Sequence, residues 1–162
     1  MNYLEALNWR YSVKKFDGNQ IPKEIIDNIL EAGRLSVSSL GLQPYYLLVI
    51  NNKEKIKSLT DAFYNTNQIS TCSHLVVLVS KKQIDPNYID SYFNHIATER
   101  EITIDQLSSF RKNIDDFITN SLDNDLSNWT DKQAYIVLGT MIMAAAQEKI
   151  DTCPMEGYKL NY

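Results

Sequence analysis

Two short apolar runs constrain the fold of this chain most. The first, Tyr45–Ile50, follows Pro44 and ends at two asparagines, and the second is His74–Val79. Continuous apolar runs of this length, bounded by turn residues, are typical of strands buried on both faces. Residues 53–64 between them have apolar side chains at helical spacing. The order strand, helix, strand predicts an α+β domain with layered α/β architecture.

Helical patterns account for most of the remaining sequence. Apolar residues recur at helical spacing over residues 3–9, and again after Pro22, which suits the first turn of a helix. Residues 130–149 are apolar around most of a helical circumference, which predicts a buried central helix in a dimer core. Residues 85–128 are polar, with apolar residues at three- and four-residue steps, and predict exposed helices.

Composition narrows the class of protein. The chain has 162 residues, 44% of them hydrophobic, and no Gly/Pro/Ser-rich linker divides it, so we expect a single domain over residues 1–162. The formal net charge of −4 opposes a general binder of nucleic acid or anionic membranes. No apolar window reaches the roughly 18 residues of a membrane span, and no signal peptide precedes the first helix. These features predict a soluble protein.

The two cysteines are far apart, and neither has a second Cys or His nearby in sequence. This pattern supports neither a disulfide framework nor a metal site, and it suits the reducing cytoplasm. Signatures of zinc proteases, serine hydrolases, phosphate loops and Rossmann dinucleotide sites do not occur in the sequence.

The segment Arg10-Tyr11-Ser12-Val13-Lys14 places two cations and a hydroxyl close together, just after the first predicted helix. A guanidinium, a hydroxyl and an ammonium are groups with which proteins bind phosphate. Basic residues also favour the negative end of a helix dipole. Spacing alone therefore leaves two interpretations, a phosphate site and a solvated basic turn.

Three further segments combine polar side chains with turn residues. Ser38–Pro44 enters the first apolar run, Asn65–Gln68 precedes the second, and Pro154–Gly157 follows the long apolar helix. Hydroxyls, amides and backbone at a glycine suit a planar polar ligand. Each segment also has a plainer interpretation: a helix-to-strand connection, a polar loop and a proline-glycine turn.

In their order and spacing, over nearly the whole chain, these motifs resemble those of the nitroreductase family of flavin enzymes. The matching segments are Arg10–Lys14, the Ser-Ser-x-Gly-x-Gln-Pro pattern of residues 38–44, and the Pro-x-Glu-Gly pattern of residues 154–157. The resemblance implies a nitroreductase-like fold, with a central, mainly antiparallel sheet flanked by helices, in an intertwined homodimer. It also implies that the family continues past the last motif with a helix, a strand and a basic phosphate contact, so that this sequence is truncated at its C-terminus.

The cofactors implied by the resemblance are FMN and, as reducing co-substrate, NAD(P)H. Residues of the first motif would contact the ribityl chain, phosphate and pyrimidine edge, and the loop at residues 38–43 would reach the flavin held mainly by the other subunit. Asn65 and Gln68 would face the pyrimidine ring, and the amides of Glu156 and Gly157 the N5–O4 edge. The cofactor-binding residues predicted in this way are Arg10, Tyr11, Ser12, Lys14, Ser38, Ser39, Leu40, Gln43, Asn65, Gln68, Pro154, Met155, Glu156 and Gly157.

By the same resemblance, no side chain is catalytic, since flavin N5 is the reactive centre, and Phe110 and Phe117 would line the substrate channel. His74 starts an apolar strand, and we expect a structural, hydrogen-bonded histidine there. The implied activity is hydride transfer from NAD(P)H through the flavin to nitroaromatics, quinones or similar small-molecule acceptors, by a ping-pong mechanism. The alternative is a truncated, non-catalytic flavin-binding or dimerisation module.

Overall fold

The computed structural model describes residues 1–121 and 125–159. These residues form two β-strands and seven α-helices, with short 3-10 turns at residues 39–41, 60–62 and 104–107 and a π-helical turn at Phe117–Ser121. In chain order the elements are α1 (Tyr3–Trp9), α2 (Lys23–Arg34), β1 (Tyr45–Ile50), α3 (Lys53–Ser58), α4 (Thr66–Thr71), β2 (Leu75–Ser80), α5 (Pro86–Glu99), α6 (Ser108–Asp116) and α7 (Leu126–Gln147).

Capping residues in the local sequence explain where helices α1 and α5 begin. At α1, the side chain of Asn2 accepts a hydrogen bond from the Glu5 amide, and the Glu5 carboxylate accepts one from the Asn2 amide. This reciprocal cap satisfies two backbone donors that a helix start would otherwise leave unpaired. Helix α5 begins in a similar way, because the Asp85 carboxylate accepts from the amide of Tyr88 and a proline occupies the first helical position.

The two strands are neighbours in one antiparallel sheet. The amide of Lys81, just after β2, donates to the carbonyl of Pro44, just before β1, at 2.9 Å, so the end of one strand lies beside the start of the other. Both strands were predicted within one residue. The expectation that they are buried on both faces is wrong for the single chain, since Tyr46 and Leu48 on one face of β1 are 56% and 54% exposed.

The chain divides into two compact units. The first comprises residues 1–36, residues 47–78 and the described residues from 136 onward. Within it, Gly33 of α2 lies against α7 and β1: a Cβ added there would be 3.0 Å from Cγ of Met141 and 3.2 Å from Cδ1 of Leu47. The missing side chain is what allows α2 to approach this closely.

The second unit comprises residues 37–46 and 79–135, and it has its own hydrophobic core. The buried members of that core are Leu42, Ile89, Phe93, Leu107, Ile114 and Trp129. Aromatic rings meet edge to face around it, with centroids 5.5 Å apart for Phe93 and Phe110. The polar composition of residues 85–128 predicted exposed helices. Helices α5 and α6 instead contribute buried residues to this core.

Other differences concern particular helices. The helix predicted over residues 53–64 ends at Ser58 and continues as a 3-10 turn, and the short helix α4 was not predicted. In the single chain, helix α7 has exposed residues, since Tyr135 is 54% and Ile136 41% exposed, and its place in a dimer core stays a prediction. Among the described residues, no helix combines the length and apolar character needed to cross a membrane.

Candidate functional site

The basic segment lies directly after α1. Arg10 leaves the helix in extended conformation while its amide still donates to the carbonyl of Ala6. Val13 is buried, whereas Tyr11 and Lys14 are exposed. The guanidinium Nε of Arg10 is buried and has no hydrogen-bond partner among the described residues. A buried donor without a partner is costly, so this position favours an acceptor supplied by a ligand.

Residues 152–159 connect this segment to a second part of the first unit. Ser12 forms a parallel β-bridge with Thr152, and Phe63 forms an antiparallel bridge with Tyr158. The amide of Tyr64 donates to the carbonyl of Gly157 at 3.1 Å. The structure therefore brings the Pro154–Gly157 motif together with Arg10–Lys14 on one side and with the residues before Asn65 on the other.

Asn65 and Gln68 lie at the start of α4, where the sequence had indicated a polar loop. Asn65 is exposed and immediately precedes the helix. Gln68 is buried, and its Nε2 is 4.0 Å from Sγ of Cys153, the residue before Pro154. The amide pair predicted from sequence therefore belongs to the same neighbourhood as the Pro-x-Glu-Gly motif.

In the second unit, the loop at residues 38–43 is tightly folded. The amide of Gln43 donates to Oγ of Ser38 at 2.9 Å, and the amide of Gly41 to the carbonyl of Ser38 at 3.0 Å. Leu40, Gly41 and Gln43 have positive φ angles of 59°, 70° and 46°. The amide of Ser39 donates to Oε1 of the buried Gln133 at 2.8 Å. These contacts give the predicted ligand-binding loop one defined conformation.

Two tyrosines that the sequence analysis did not single out contact the same loop. Tyr88 and Tyr92 of α5 both donate their hydroxyl protons to its backbone carbonyls. Burial raises the pKa of Tyr88 to about 12. Nothing in the local sequence identifies these contacts, because they depend on how α5 packs against a segment about fifty residues earlier.

Phe110 and Phe117 are partly buried and pack against the core of the second unit. Phe110 lies edge to face with Phe93, and Phe117 with Trp129 at 5.6 Å between centroids. Both side chains thus have a packing role, and their role in a substrate channel stays a prediction.

The surroundings of His74 and Cys72, two titratable residues of the first unit, suit structural roles for both. Nδ1 of His74 is 2.8 Å from Oγ of Ser73, and burial lowers the pKa of His74. Burial raises the pKa of the Cys72 thiol, which disfavours a reactive thiolate. Over residues 1–121 and 125–159, no group of three or more His, Cys, Asp or Glu side chains is arranged to hold a metal ion.

Known proteins share both the sequence pattern and the fold. A model of the nitroreductase family matches residues 7–162. A Staphylococcus saprophyticus protein named "Putative NAD(P)H nitroreductase" is 38% identical over 98% of this chain and 74% of its own length, and a Bacillus subtilis protein of the same description is 34% identical over 98% and 76%.

Solved structures agree with these matches. A nitroreductase-like protein from Streptococcus mutans superposes with a TM-score of 0.84 at 21% identity, over 96% of this chain and 76% of that one, and shows the same fold. A nitroreductase from Exiguobacterium sibiricum, solved in complex with FMN, superposes with a TM-score of 0.80 at 25% identity, over 98% and 76%. Fold and motifs together define an oxidoreductase. The chain belongs to the nitroreductase family.

Proposed function

We propose that this protein is an FMN-dependent oxidoreductase that uses NAD(P)H to reduce nitroaromatics, quinones or similar small acceptors. The observation that most supports the proposal is the buried Nε of Arg10, which has no hydrogen-bond partner among the described residues. It lies on a segment whose Ser12 is bridged to Thr152, just before the Pro-x-Glu-Gly motif. The FMN complex of the Exiguobacterium relative and the names of the Staphylococcus and Bacillus relatives support the cofactor and the reductant. When bound, FMN supplies hydride transfer at N5, alternating between reductant and acceptor in a ping-pong cycle.

The charged groups, hydrogen-bond donors and acceptors of these motifs in the first unit suit FMN. Arg10, Ser12 and Lys14 offer a forked cation, a hydroxyl and a point charge for the ribityl phosphate. Asn65 and Gln68 offer amide donors and acceptors that match the pyrimidine ring. The amides of Glu156 and Gly157 are assigned to the N5–O4 edge, where backbone donors stabilise negative charge on the ring.

A homodimer is the second part of the proposal. Helix α1 buries only Ala6, while Tyr3, Leu4 and Leu7 are exposed. Tyr46 and Leu48 add an exposed apolar face on β1. Rows of exposed apolar side chains indicate a surface that a partner covers, and a second copy of this chain is the partner we propose. The loop at residues 38–43 would then contribute to the flavin site of that copy.

The first test is an absorption spectrum of the purified protein, followed by anaerobic titration with NADH and with NADPH. We expect flavin bands near ~450 nm that bleach on addition of the reductant. A yellow protein that neither nucleotide bleaches would favour the alternative, a non-catalytic flavin-binding or dimerisation module. A colourless protein that also fails to bind added FMN would contradict the proposal.

The phosphate assignment is tested separately with Arg10→Ala/Lys14→Ala. Charge-assisted hydrogen bonds contribute about 1.5–3 kcal/mol each, so we expect FMN binding to weaken by about 100-fold or more. The matched control is Lys53→Ala/Lys57→Ala, which removes two cations from α3 and changes the net charge equally. Equal FMN affinity in both double variants, measured by flavin fluorescence quenching, would show that the phosphate is bound elsewhere.

A further inference from the structure

The loop at residues 38–43 is held from one side by α5. The hydroxyl of Tyr88 lies 2.6 Å from the carbonyl oxygen of Leu42 and 2.9 Å from that of Gln43. The hydroxyl of Tyr92 lies 2.7 Å from the carbonyl oxygen of Leu40. Tyr88 and Tyr92 are four residues apart and therefore project from the same face of the helix.

The loop adopts backbone angles that need such support. Leu40 and Gln43 are not glycines, yet both have φ in the left-handed region. Residues in this region are held there by surrounding contacts, because the conformation is disfavoured for a side chain with a Cβ. The carbonyls that the tyrosines hold belong to these two residues and to Leu42 between them.

The tyrosines are themselves fixed in position. Ile89 and Phe93, their immediate neighbours on α5, are almost fully buried in the core of the second unit. The ammonium of Lys81 lies 4.4 Å from the ring centre of Tyr88, and the amide of the same lysine donates to the carbonyl of Pro44 at the end of the loop. With its pKa raised to about 12, the Tyr88 hydroxyl keeps its proton for donation at neutral pH.

We propose that Tyr88 and Tyr92 are positioning residues, which hold the loop at residues 38–43 in the conformation that binds FMN. The inference rests on the proposed function, because it takes this loop as part of the flavin site. Both tyrosine hydroxyls contact the loop through its backbone carbonyls, so they fix the course of its backbone. A loop fixed before binding loses less conformational entropy when the cofactor arrives, so the hydroxyls strengthen FMN binding without touching FMN.

The test uses Tyr88→Phe, Tyr92→Phe and the double variant in the 162-residue chain. Ser91→Ala is the matched control, since it removes a hydroxyl from the same helix that donates to the carbonyl of Asn87 within α5 and not to the loop. The first measurement is amide hydrogen exchange without FMN at Gly41, Leu42 and Gln43, whose amides donate within the loop. We expect each single variant to accelerate exchange there about three- to tenfold, with core amides of α6 unchanged.

The second measurement is FMN affinity, with visible circular dichroism of the bound flavin as a readout of its surroundings. We expect about three- to tenfold weaker binding for each single variant, a larger loss for the double variant, and no change for Ser91→Ala. Exchange that accelerates equally in the loop and in α6 would indicate general destabilisation and overturn the positioning role.

The two proposals fail in different ways. If the unaltered protein binds FMN and the tyrosine variants bind it equally well, the positioning role is wrong and the proposed function stands. If the unaltered protein does not bind FMN, the proposed function is wrong, and so is the assignment of FMN as the ligand of this loop.

Discussion

Leu40, Gly41 and Gln43 have left-handed backbone, and at Gly41 there is little room for a side chain. Its φ is +70°, and a Cβ at this position would lie 2.9 Å from the hydroxyl oxygen of Tyr92. Gly18 has a similar φ of +81°, but its surroundings are open. Alanine substitutions at the two glycines therefore distinguish the cost of backbone strain from the cost of displacing a neighbouring side chain.

We expect Gly41→Ala to lower the free energy of unfolding by about 2–3 kcal/mol. About 1–2 kcal/mol is the cost of a left-handed alanine, and about 1 kcal/mol is the lost hydrogen bond of the displaced Tyr92 hydroxyl. Gly18→Ala should show only the cost of a left-handed alanine, because its surroundings are open. Urea denaturation of both variants checks this, and equal losses would mean that Tyr92 is not held against the loop.

His74 gives a pH dependence with a definite sign. The amide of Ile21 donates to Oγ of Ser73, and the same oxygen lies 2.8 Å from Nδ1 of His74. Burial lowers the pKa of His74 below its usual 6.5, so the unfolded chain takes up a proton at higher pH than the folded protein does. The neutral histidine thus contributes stability above pH 6.5, and that contribution is lost as the pH falls through the folded-state value.

We expect the urea midpoint to fall between pH 7 and pH 5 more steeply in the unaltered protein than in His74→Gln. His95→Gln is the control, because it replaces the other histidine of the sequence, whose side chain is exposed. If His74→Gln kept the full slope, the pH dependence would arise elsewhere in the chain.

At the scale of elements, α2 approaches α7 closely at Gly33. The gap there is too small for a large side chain, and Met141 forms most of its wall. We expect Gly33→Leu to destabilise the protein by about 2 kcal/mol through overpacking. Adding Met141→Ala should recover part of that loss, although Met141→Ala alone is destabilising because it leaves a cavity.

A double-mutant cycle of thermal or urea unfolding measures this coupling. Strictly additive losses in Gly33→Leu/Met141→Ala would show that the two residues do not share a packing site. Ile29→Val, a conservative change at another buried position of α2, serves as a control for loss of packing on that helix.

Sequence patterns located some elements well and missed others for physical reasons. The strands were found because their apolar runs are continuous and bounded by turn or polar residues, the first between Pro44 and Asn51 and the second between Ser73 and Ser80. Helix α4 was missed because Thr66–Thr71 is mostly polar and has no apolar period. The exposure of β1 was misjudged, since apolar composition cannot tell burial in a chain's own core from an apolar face left exposed on the single chain. The contacts of Tyr88 and Tyr92 depend on tertiary packing, which local patterns do not encode.

At the scale of the whole molecule, exposed apolar side chains occur in rows. On α1, Leu4 is 68% and Leu7 42% exposed, and the two lie about one turn apart. If this row is part of a dimer interface, charges placed there would have to be buried unpaired, at a cost of several kcal/mol.

We therefore expect sedimentation equilibrium to give twice the chain mass of 18.7 kDa for the unaltered protein and to show dissociation for Leu4→Glu/Leu7→Glu. Leu35→Glu, an exposed leucine at the end of α2, is the control for a general effect of added charge. A monomeric unaltered protein would contradict the proposed dimer.

The two bridges formed by residues 152–158 have a consequence for synthesis on the ribosome. Ser12 and Thr152 are far apart in sequence, and so the Arg10–Lys14 segment meets its neighbour only after residue 152 has emerged from the ribosome. Pairing over such a distance closes a very long loop and is slow for that reason. The groups proposed to hold the phosphate are therefore translated early but meet the residues before the Pro-x-Glu-Gly motif late, so that a nascent chain cannot complete its proposed ligand site before residues 152–157 have been made.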